Sequence, residues 1–221
     1  MSSAFILAID GPAASGKGTL ARRLADEFGF AHLDTGALYR AVGVLVLRAG
    51  GDPADPVQAG AAARALRPDQ AEVLDDPDLR SDQAASAASK VAAAPEARAA
   101  LLDFQRAFAA TPPGAGAGAV LDGRDIGTVV CPGAPAKLFV TASVEVRAQR
   151  RLKELRERGI AAIESDVLED MKERDARDSR RAVAPLRPAD DAFVLDTSAL
   201  NADQAFAAAV AFVRSRLRGG G

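Results

Sequence analysis

Apolar and amphipathic segments alternate along most of the chain. Residues 4–9 form a continuous apolar run, which is typical of a short strand buried on both faces of a parallel sheet. Residues 20–28 predict a helix, because two leucines and a phenylalanine recur every four residues on one face. Gly29 predicts the end of that helix. The chain therefore opens with a predicted strand, a loop and a helix.

The same alternation continues to the end of the chain. Four more short apolar runs predict strands, at residues 31–34, 120–122, 137–141 and 193–196. Helices are predicted at residues 37–47, 144–158 and 201–217. This order favours an α/β fold with a five-stranded parallel sheet and right-handed connections. Ligands of such sheets bind beyond the carboxyl ends of the strands, where the pattern places Asp10, Asp34, Asp122, Thr141 and Asp196.

The composition changes between residues 55 and 118, where alanine dominates. Helices are predicted there at residues 56–66, 81–93 and 95–109. Their apolar side chains indicate that the stretch folds, with one face formed by Leu101, Leu102, Phe104 and Phe108. The tract PPGAGAGA at residues 112–119 predicts a flexible connector, and residues 69–80 contain no motif. We therefore expect an insertion at residues 55–118 in a core formed by residues 1–54 and 119–221.

Composition and charge limit the classes of protein. The chain has 221 residues, 48% of them hydrophobic and 26% charged, as in a soluble domain with small insertions. Its net charge of −2 gives no overall reason to expect nucleic acid as a partner. The single cysteine, Cys131, cannot form an internal disulfide, which favours a reducing cytosol and a small buried or turn role. Asp10 interrupts the N-terminal apolar run, which is too short for a membrane span, so we expect a cytoplasmic protein.

The strongest functional motif is GPAASGKGT, from Gly11 to Thr19, between the first strand and the first helix. Gly11 and Gly16 permit backbone conformations that a Cβ atom would block, so the loop amides can surround a phosphate at the positive end of the helix dipole. The spacing GxxxxGK matches the P-loop, in which Lys17 would reach the β- and γ-phosphates. Gly18 stands where the general motif has Ser or Thr, which argues against Thr19 as a direct Mg²⁺ ligand. The alternative is an ordinary glycine-rich turn.

A second motif, DTGALYR, follows the second predicted strand at residues 34–40. Thr35 could cap the next helix and meet an anionic or hydroxylic ligand there, and Arg40 could meet a phosphate one turn later. The alternative is that Thr35 is only a cap and Arg40 a solvated charge. The neighbouring P-loop favours a binding site.

A third motif, DGRD, follows the third predicted strand at residues 122–125. Arg124 could bind a second phosphate, and Asp122 could hold Mg²⁺ through water, as strand-end aspartates do in P-loop proteins. The alternative is a polar turn, since Asp-Gly is also a hairpin signal.

A fourth motif, KERDARDSRR, carries a stripe of charge at residues 172–181. Arg174, Arg177, Asp178 and Arg181 are spaced three or four apart, which predicts one helical face. Residues 172–187 contain six basic and three acidic side chains in a chain that is net acidic, so the excess suggests a phosphate ligand. A closing segment could deliver arginine to a transferring phosphoryl group and exclude water. The alternative is a solvated face of internal ion pairs.

These motifs together resemble those of a known family. GPAASGKGT, DTGALYR, DGRDIGTVV and KERDARDSRRAVAPL occur in the order found in bacterial cytidylate kinases, which are P-loop nucleoside monophosphate kinases. The resemblance implies a P-loop NTPase-like core, a monophosphate-binding insertion and a short lid at roughly residues 155–187. It also implies transfer of a phosphoryl group from ATP, with Mg²⁺, to CMP or dCMP.

The resemblance implies roles for single residues as well. The donor nucleotide would be held by Gly11, Pro12, Ala13, Ala14, Ser15, Gly16, Lys17, Gly18 and Thr19. Catalysis would use Lys17, Arg124, Arg177 and Arg181. The acceptor would contact Thr35, Arg40 and Arg124, its sugar Arg174 and Asp178, and its base Ser89, Arg98, Asp125 and Arg181.

Two other functions remain open at this point. One is a kinase for another small acceptor, such as a different monophosphate. The other is a nucleotide-gated interaction protein, although no guanine-reading NKxD motif occurs in the sequence. A packing or structural role is expected for His32, the only histidine, and nucleotides are the expected partners of a monomer.

Overall fold

The computed structural model describes residues 4–66, 74, 76–114, 118–181 and 183–219. Within these residues the chain divides into two compact units, one formed by Met1–His32 and Pro112–Gly221 and the other by Leu33–Thr111. The domain boundaries expected from the sequence remain a prediction. Of the predicted connector, residues 115–117 lie outside the described residues, as do residues 69–73 and 75 of the stretch without a motif.

The fold is built on a parallel sheet of five strands in the order β2-β3-β1-β4-β5. The strands are β1 (Phe5–Asp10), β2 (Ala31–Asp34), β3 (Gly118–Gly123), β4 (Ala136–Thr141) and β5 (Phe193–Asp196). The predicted α/β class and parallel sheet are confirmed. The predicted start of the third strand, at residue 120, was wrong. Gly118 and Ala119 pair with Phe5 and Ile6, so they belong to the sheet rather than to the connector.

Eight helices are described. They are α1 (Lys17–Phe28), α2 (Thr35–Arg48), α3 (Pro56–Ala65), α4 (Asp82–Val91), α5 (Pro95–Ala110), α6 (Val144–Glu157), α7 (Glu164–Ser179) and α8 (Ala202–Gly219). A 3₁₀ turn at Pro77–Arg80 and a π-helical turn at Ile126–Val130 are also present. The first helix begins three residues before its predicted start. The predicted helical face at 172–181 also needs correction, since α7 ends at Ser179 and Arg181 lies beyond it.

The core of the first unit lies between the sheet and two helices. Leu7, Ala8 and Ile9 are all fully buried, so β1 is covered on both faces as its uninterrupted apolar sequence predicts. Alternate residues of the central strands pack against α1 and α8, and the largest fully buried side chains there are Leu7, Ile9, Leu24, Val120 and Leu138. This packing fixes the position of β1 and therefore of the loop that follows it.

Close contacts between small residues build the second unit. Helix α2 packs on α4, where a Cβ atom added at Gly43 would lie 2.7 Å from the Cβ of Ala87. Helix α3 packs on α5, where a Cβ atom added at Gly60 would lie 2.9 Å from the Cβ of Glu96. Glycines at these two contacts thus allow the short distances between the paired helices. In the described part of the whole chain, no helix combines the length and the apolar character that crossing a membrane requires.

Candidate active site

Two glycines shape the loop between β1 and α1. Gly11 has φ of 154°, and a Cβ atom there would lie 2.0 Å from the carbonyl oxygen of Val140, so a side chain would collide with the neighbouring strand. Gly16 has φ of 87° and immediately precedes α1. Because the helix begins at Lys17, the amides of its first turn follow the loop directly and face the space where an anion would be held.

Polar groups of this loop suit a phosphate. The Nζ of Lys17 lies 3.3 Å from the carbonyl oxygen of Pro12 and donates to it, which holds the lysine over the loop. Ser15 is 1% exposed, and its Oγ has no hydrogen-bond partner among the described residues. A buried hydroxyl without a partner is costly, and a ligand oxygen in the loop would remove that cost. Thr19 is exposed on the first turn of α1.

Asp10 ends β1 and connects it to the turn after β3. Its two carboxylate oxygens accept hydrogen bonds from the amides of Ile126 and Gly127 at 2.8 and 2.7 Å. Burial raises the pKa of Asp10 to about 6, against the smaller effects of those two amides and of Lys17, while the charge of Asp125 adds to the rise. The motif DGRD is therefore followed by a π-helical turn whose first amides are held by Asp10. The next strand, β4, pairs with β1 and not with β3, so the motif does not form a hairpin.

Asp122 lies at the carboxyl end of β3, next to the loop. It is buried, and its Oδ1 accepts a hydrogen bond of 2.8 Å from the Nε2 of His32 on the neighbouring strand. A Cβ atom added at Gly18 would lie 3.6 Å from the Oδ2 of Asp122, which shows that this carboxylate faces the start of α1. The packing or structural role expected for His32 did not name Asp122 as its partner. Pairing between β2 and β3 creates this contact, and the local sequence contains no signal for it.

The third and fourth motifs meet at Asp178. This buried carboxylate of α7 accepts a hydrogen bond of 2.9 Å from the Nε of Arg124, and Arg181 donates to its other oxygen. Arg124 comes from the turn after β3, whereas Arg181 follows the end of α7. Between α7 and β5, the amide of Leu186 donates a hydrogen bond to the carbonyl oxygen of Asp178. Two predicted site arginines are thus held side by side on one predicted site carboxylate.

The remaining predicted residues of this unit lie on the same elements. Arg174 forms an ion pair of 2.9 Å with Asp170 one turn earlier on α7. Arg177 is exposed on the same helix, and Asp125 is buried at the start of the π-helical turn, where its carbonyl oxygen accepts from the amides of Val129 and Val130.

The motif DTGALYR occupies the start of α2 in the second unit. Asp34, and not Thr35 as the sequence suggested, caps the helix, because its Oδ1 accepts from the amide of Ala37 at 3.1 Å. Thr35 is already the first residue of the helix and is buried. The other oxygen of Asp34 accepts from Arg40 at 2.7 Å, so that guanidinium is held at the helix N-terminus.

Ser89 and Arg98 lie on the helices that follow. Ser89 is half-buried on α4, the helix that packs on α2. The guanidinium of Arg98, on α5, lies 5.9 Å from the ring centre of Tyr39 and donates to the carbonyl oxygen of Ala92 at 3.4 Å. Since Tyr39 precedes Arg40 on α2, the structure brings Arg98 close to the second motif.

Two arginines of α6 that the motifs did not indicate support the phosphate-binding loop. Arg147 is buried and donates to the carbonyl oxygen of Ala13 at 3.3 Å. Arg150 donates to both the hydroxyl and the carbonyl oxygen of Thr197, and that hydroxyl contacts the carbonyl oxygen of Ser15 at 3.3 Å. In the sequence these arginines are two of several charges on a polar helix, so only the tertiary contacts distinguish them.

Among the residues that the structure describes, no three His, Cys, Asp or Glu side chains are grouped so that they could hold a metal ion by themselves. Asp122 offers a hard oxygen beside the loop, which is the donor that Mg²⁺ prefers when substrate phosphates and water complete its coordination. The residues present therefore fit the expected role of Asp122, which remains a prediction.

The geometry of the first unit suits phosphoryl transfer. A glycine loop at a helix N-terminus carries a lysine, a strand-end aspartate faces it, and two arginines are held on the helix that follows α6. These are the parts needed to bind phosphates and to balance the charge of a transferring phosphoryl group.

Comparisons with known proteins agree with this geometry. The family model described as cytidylate kinase matches residues 7–215. A cytidylate kinase of Paramagnetospirillum magneticum is 69% identical over 211 residues, covering 96% of this chain and 98% of the relative. One of Rhodospirillum rubrum is 65% identical over 205 residues, covering 93% and 95%. A third, of Granulibacter bethesdensis, is 62% identical over 211 residues, covering 96% and 97%.

Solved structures support the fold at low sequence identity. An uncharacterized protein from Eubacterium ventriosum has a TM-score of 0.55 and 15% identity, covering 96% of this chain and 99% of its own. A protein from Thermus thermophilus has a TM-score of 0.50 and 18% identity, covering 98% and 99%. The family model spans nearly the whole chain, and the three relatives match this chain over almost their full lengths. The chain belongs to the cytidylate kinase family.

Proposed function

We propose that this protein transfers a phosphoryl group from ATP to CMP or dCMP, giving CDP or dCDP. The observation that carries the proposal is the phosphate-binding loop, with Lys17 and the first turn of α1, in a chain of this family. Transfer between two nucleotides needs little covalent chemistry from the protein, so positioning and charge stabilisation are its main tasks.

The donor phosphates lie against the loop amides and Lys17 in this proposal. The buried Oγ of Ser15 supports it, since a phosphate oxygen would supply the partner that this hydroxyl lacks among the described residues. Asp122 is the side chain that would hold Mg²⁺, through water, and the ion would neutralise charge on the donor phosphates.

The acceptor phosphate is assigned to Arg40 and Arg124, with Thr35 as a further contact. The ion pair between Arg124 and Asp178 supports this assignment, because a guanidinium held by one carboxylate loses less entropy when it binds an anion. Arg174 and Asp178 are assigned to the sugar of the acceptor. Ser89, Arg98, Asp125 and Arg181 are assigned to its base on the resemblance to the family. A general base is not required, because the acceptor phosphate is already ionised near neutral pH.

The stabilisation of negative charge in the transition state is assigned to Lys17, Arg124, Arg177 and Arg181. The burial of Asp178 between Arg124 and Arg181 supports this role, since the pair is fixed before the ligand arrives. Arg177 is exposed on α7, from which it could approach a bound nucleotide.

The test is ADP production with ATP and Mg²⁺ against a panel of CMP, dCMP, UMP, AMP, GMP and shikimate. The proposal expects strong activity with CMP and dCMP alone. Activity with another acceptor would still support a kinase, but it would contradict the assignment of Ser89, Arg98 and Asp125 to a cytosine base. Hydrolysis of ATP without an acceptor would instead favour a nucleotide-gated interaction protein.

A further inference from the structure

The buried guanidinium of Arg147 joins three separate stretches of the first unit. Arg147 lies in the first turn of α6 and is 4% exposed. Its Nε donates to the carbonyl oxygen of Ala142 at 2.8 Å, and its Nη1 donates to the carbonyl oxygen of Ala13 in the phosphate-binding loop at 3.3 Å. Nη1 and Nη2 also donate to the two carboxylate oxygens of Asp175 on α7. A planar fork of donors can form such a set of bonds, whereas an ammonium group cannot.

Apolar packing connects the same loop to the same helices. Ala13 and Ala14 pack against a cluster whose buried members come from α6 and α7, namely Ala148, Leu152, Leu155, Val167 and Met171. Ala14 has φ of 55°, a left-handed conformation that is uncommon for a residue with a side chain. The tip of the loop therefore contacts α6 and α7 both through apolar side chains and through the guanidinium of Arg147.

Helix α7 carries this connection to the arginines of the site. Met171 and Asp175 lie one turn apart on α7, and Asp178, which holds Arg124 and Arg181, follows in the next turn. The path from the loop carbonyl through Arg147 and Asp175 to Asp178 runs through hydrogen bonds and one helix, and all of it lies in the first unit.

We propose that Arg147 is a positioning residue that couples the phosphate-binding loop to α7, so that binding of a donor nucleotide and the placement of α7 influence each other. Coupling of this kind is reciprocal, since each event changes the free energy of the other by the same amount. The inference rests on the proposed function in one respect, which is that the ligand of the loop is a nucleoside triphosphate.

A single tryptophan introduced at the start of α7 can report on this coupling by its fluorescence. The chain contains no tryptophan, so Ile163→Trp, at the start of α7 where Ile163 is 66% exposed, introduces a single fluorophore. The probe is a non-hydrolysable ATP analogue, AMP-PNP, with Mg²⁺, and calorimetry measures its binding separately from the emission. Addition of the analogue is expected to shift the emission of Ile163→Trp.

The decisive comparison adds Arg147→Lys to the reporter. The analogue should still bind, but the emission change should fall several-fold, because the three donors of a lysine ammonium cannot replace the four bonds that the guanidinium makes to Ala142, Ala13 and the two oxygens of Asp175. In the chain without the reporter, Arg147→Lys should lower kcat roughly tenfold or more and change the dissociation constant of the analogue much less. The matched control is Arg156→Lys, an exposed arginine of the same helix, which should change neither quantity.

Two outcomes would count against the proposal. An equal emission change with and without Arg147→Lys would overturn it, and so would binding of the analogue to Ile163→Trp with no emission change. Failure of the analogue to bind the unsubstituted chain would overturn the donor assignment under the proposed function instead. If Arg147→Lys does not fold, as judged by circular dichroism, Asp175→Asn replaces it, since the Asp175 side chain is 28% exposed and better tolerates change.

Discussion

Single charged residues near the loop are held by the backbone as much as by one another. Asp10 accepts from two amides, Lys17 donates to a loop carbonyl, and Arg147 donates to two carbonyls as well as to Asp175. A charge held by fixed backbone dipoles needs little rearrangement when a ligand arrives, which is the arrangement that stabilises developing charge most effectively.

Substitution of Lys17 tests the central charge of the loop. Lys17→Met keeps an unbranched side chain, one atom shorter, and removes the ammonium, so phosphoryl transfer should fall by orders of magnitude while the midpoint of thermal unfolding stays near that of the wild type. Coupled ADP production and circular dichroism measure the two effects. Lys153→Met is the matched control, because Lys153 is a 78% exposed lysine of α6. Normal turnover in Lys17→Met would contradict the mechanism.

Asp10 should make stability depend on pH. Its folded pKa is raised from 3.8 to about 6, so the stabilisation that it contributes is complete below pH 3.8 and is lost as the pH rises through 6. The shift corresponds to about 3 kcal/mol at most. Asp10→Asn has no such titration. The free energy of unfolding of this variant, relative to that of the wild type, should therefore increase between pH 4 and pH 7. Urea unfolding across that range measures the difference, and parallel curves for the two proteins would contradict the assignment.

His32 should contribute to stability and activity through its hydrogen bond to Asp122. His32→Leu removes one donor from a buried carboxylate and should cost about 1–3 kcal/mol of stability and lower activity. His32→Gln retains an N–H donor and should recover part of both losses. Urea unfolding and ADP production measure them. Equal behaviour of the leucine and glutamine variants would show that the hydrogen bond itself is unimportant.

Secondary-structure elements meet at two kinds of contact in this protein. In the first unit, long aliphatic side chains of the sheet pack against α1 and α8. In the second unit, helices approach closely through glycine and alanine, as at Gly43 and Ala87 between α2 and α4. Close helix packing of this kind leaves no room for an added methyl group.

Gly43→Ala tests this packing. Alanine should favour the helix itself by about 1 kcal/mol, but its Cβ would lie 2.7 Å from the Cβ of Ala87 and 3.2 Å from its carbonyl carbon. Overpacking costs about 1–3 kcal/mol, so a net loss of stability is expected in urea unfolding. The double variant Gly43→Ala/Ala87→Gly removes the closest contact and should regain part of the loss. An increase in stability for Gly43→Ala alone would contradict the contact.

At the scale of the whole molecule, the parallel sheet places the ends of its strands at one edge. The register sets Asp10 beside Gly123 and Thr141 beside Asp196, so residues that are far apart in sequence meet where the loop begins. Ligands of open α/β sheets bind at this edge.

Donor binding should therefore stabilise the folded chain. A ligand that binds only the native state at one hundred times its dissociation constant adds about 2.7 kcal/mol, which corresponds to a rise of several degrees in the unfolding midpoint for a chain of this size. ATP with Mg²⁺ should produce that rise in the wild type and a much smaller one in Lys17→Met. Equal midpoints with and without ATP in the wild type would contradict binding at the loop.

Much of the fold was predictable because its signals are local. The uninterrupted apolar sequence of β1, Gly29 at the end of α1 and Pro56 at the start of α3 each act within a few residues. Boundaries were less predictable where two signals overlap. Thr35 is a good capping residue, but Asp34 is one as well, and its carboxylate is the group that reaches the amide of Ala37.

The sequence by itself determined the α/β class, the phosphate-binding loop and the order of the four motifs, because glycines, strand-end aspartates and arginines at fixed spacing have few physical uses. Only the tertiary structure decided which charges meet. The contacts of His32 with Asp122, of Arg124 with Asp178 and of Arg147 with Ala13 join residues separated by 90, 54 and 134 positions. Such pairs depend on strand order and helix packing, which no local pattern encodes.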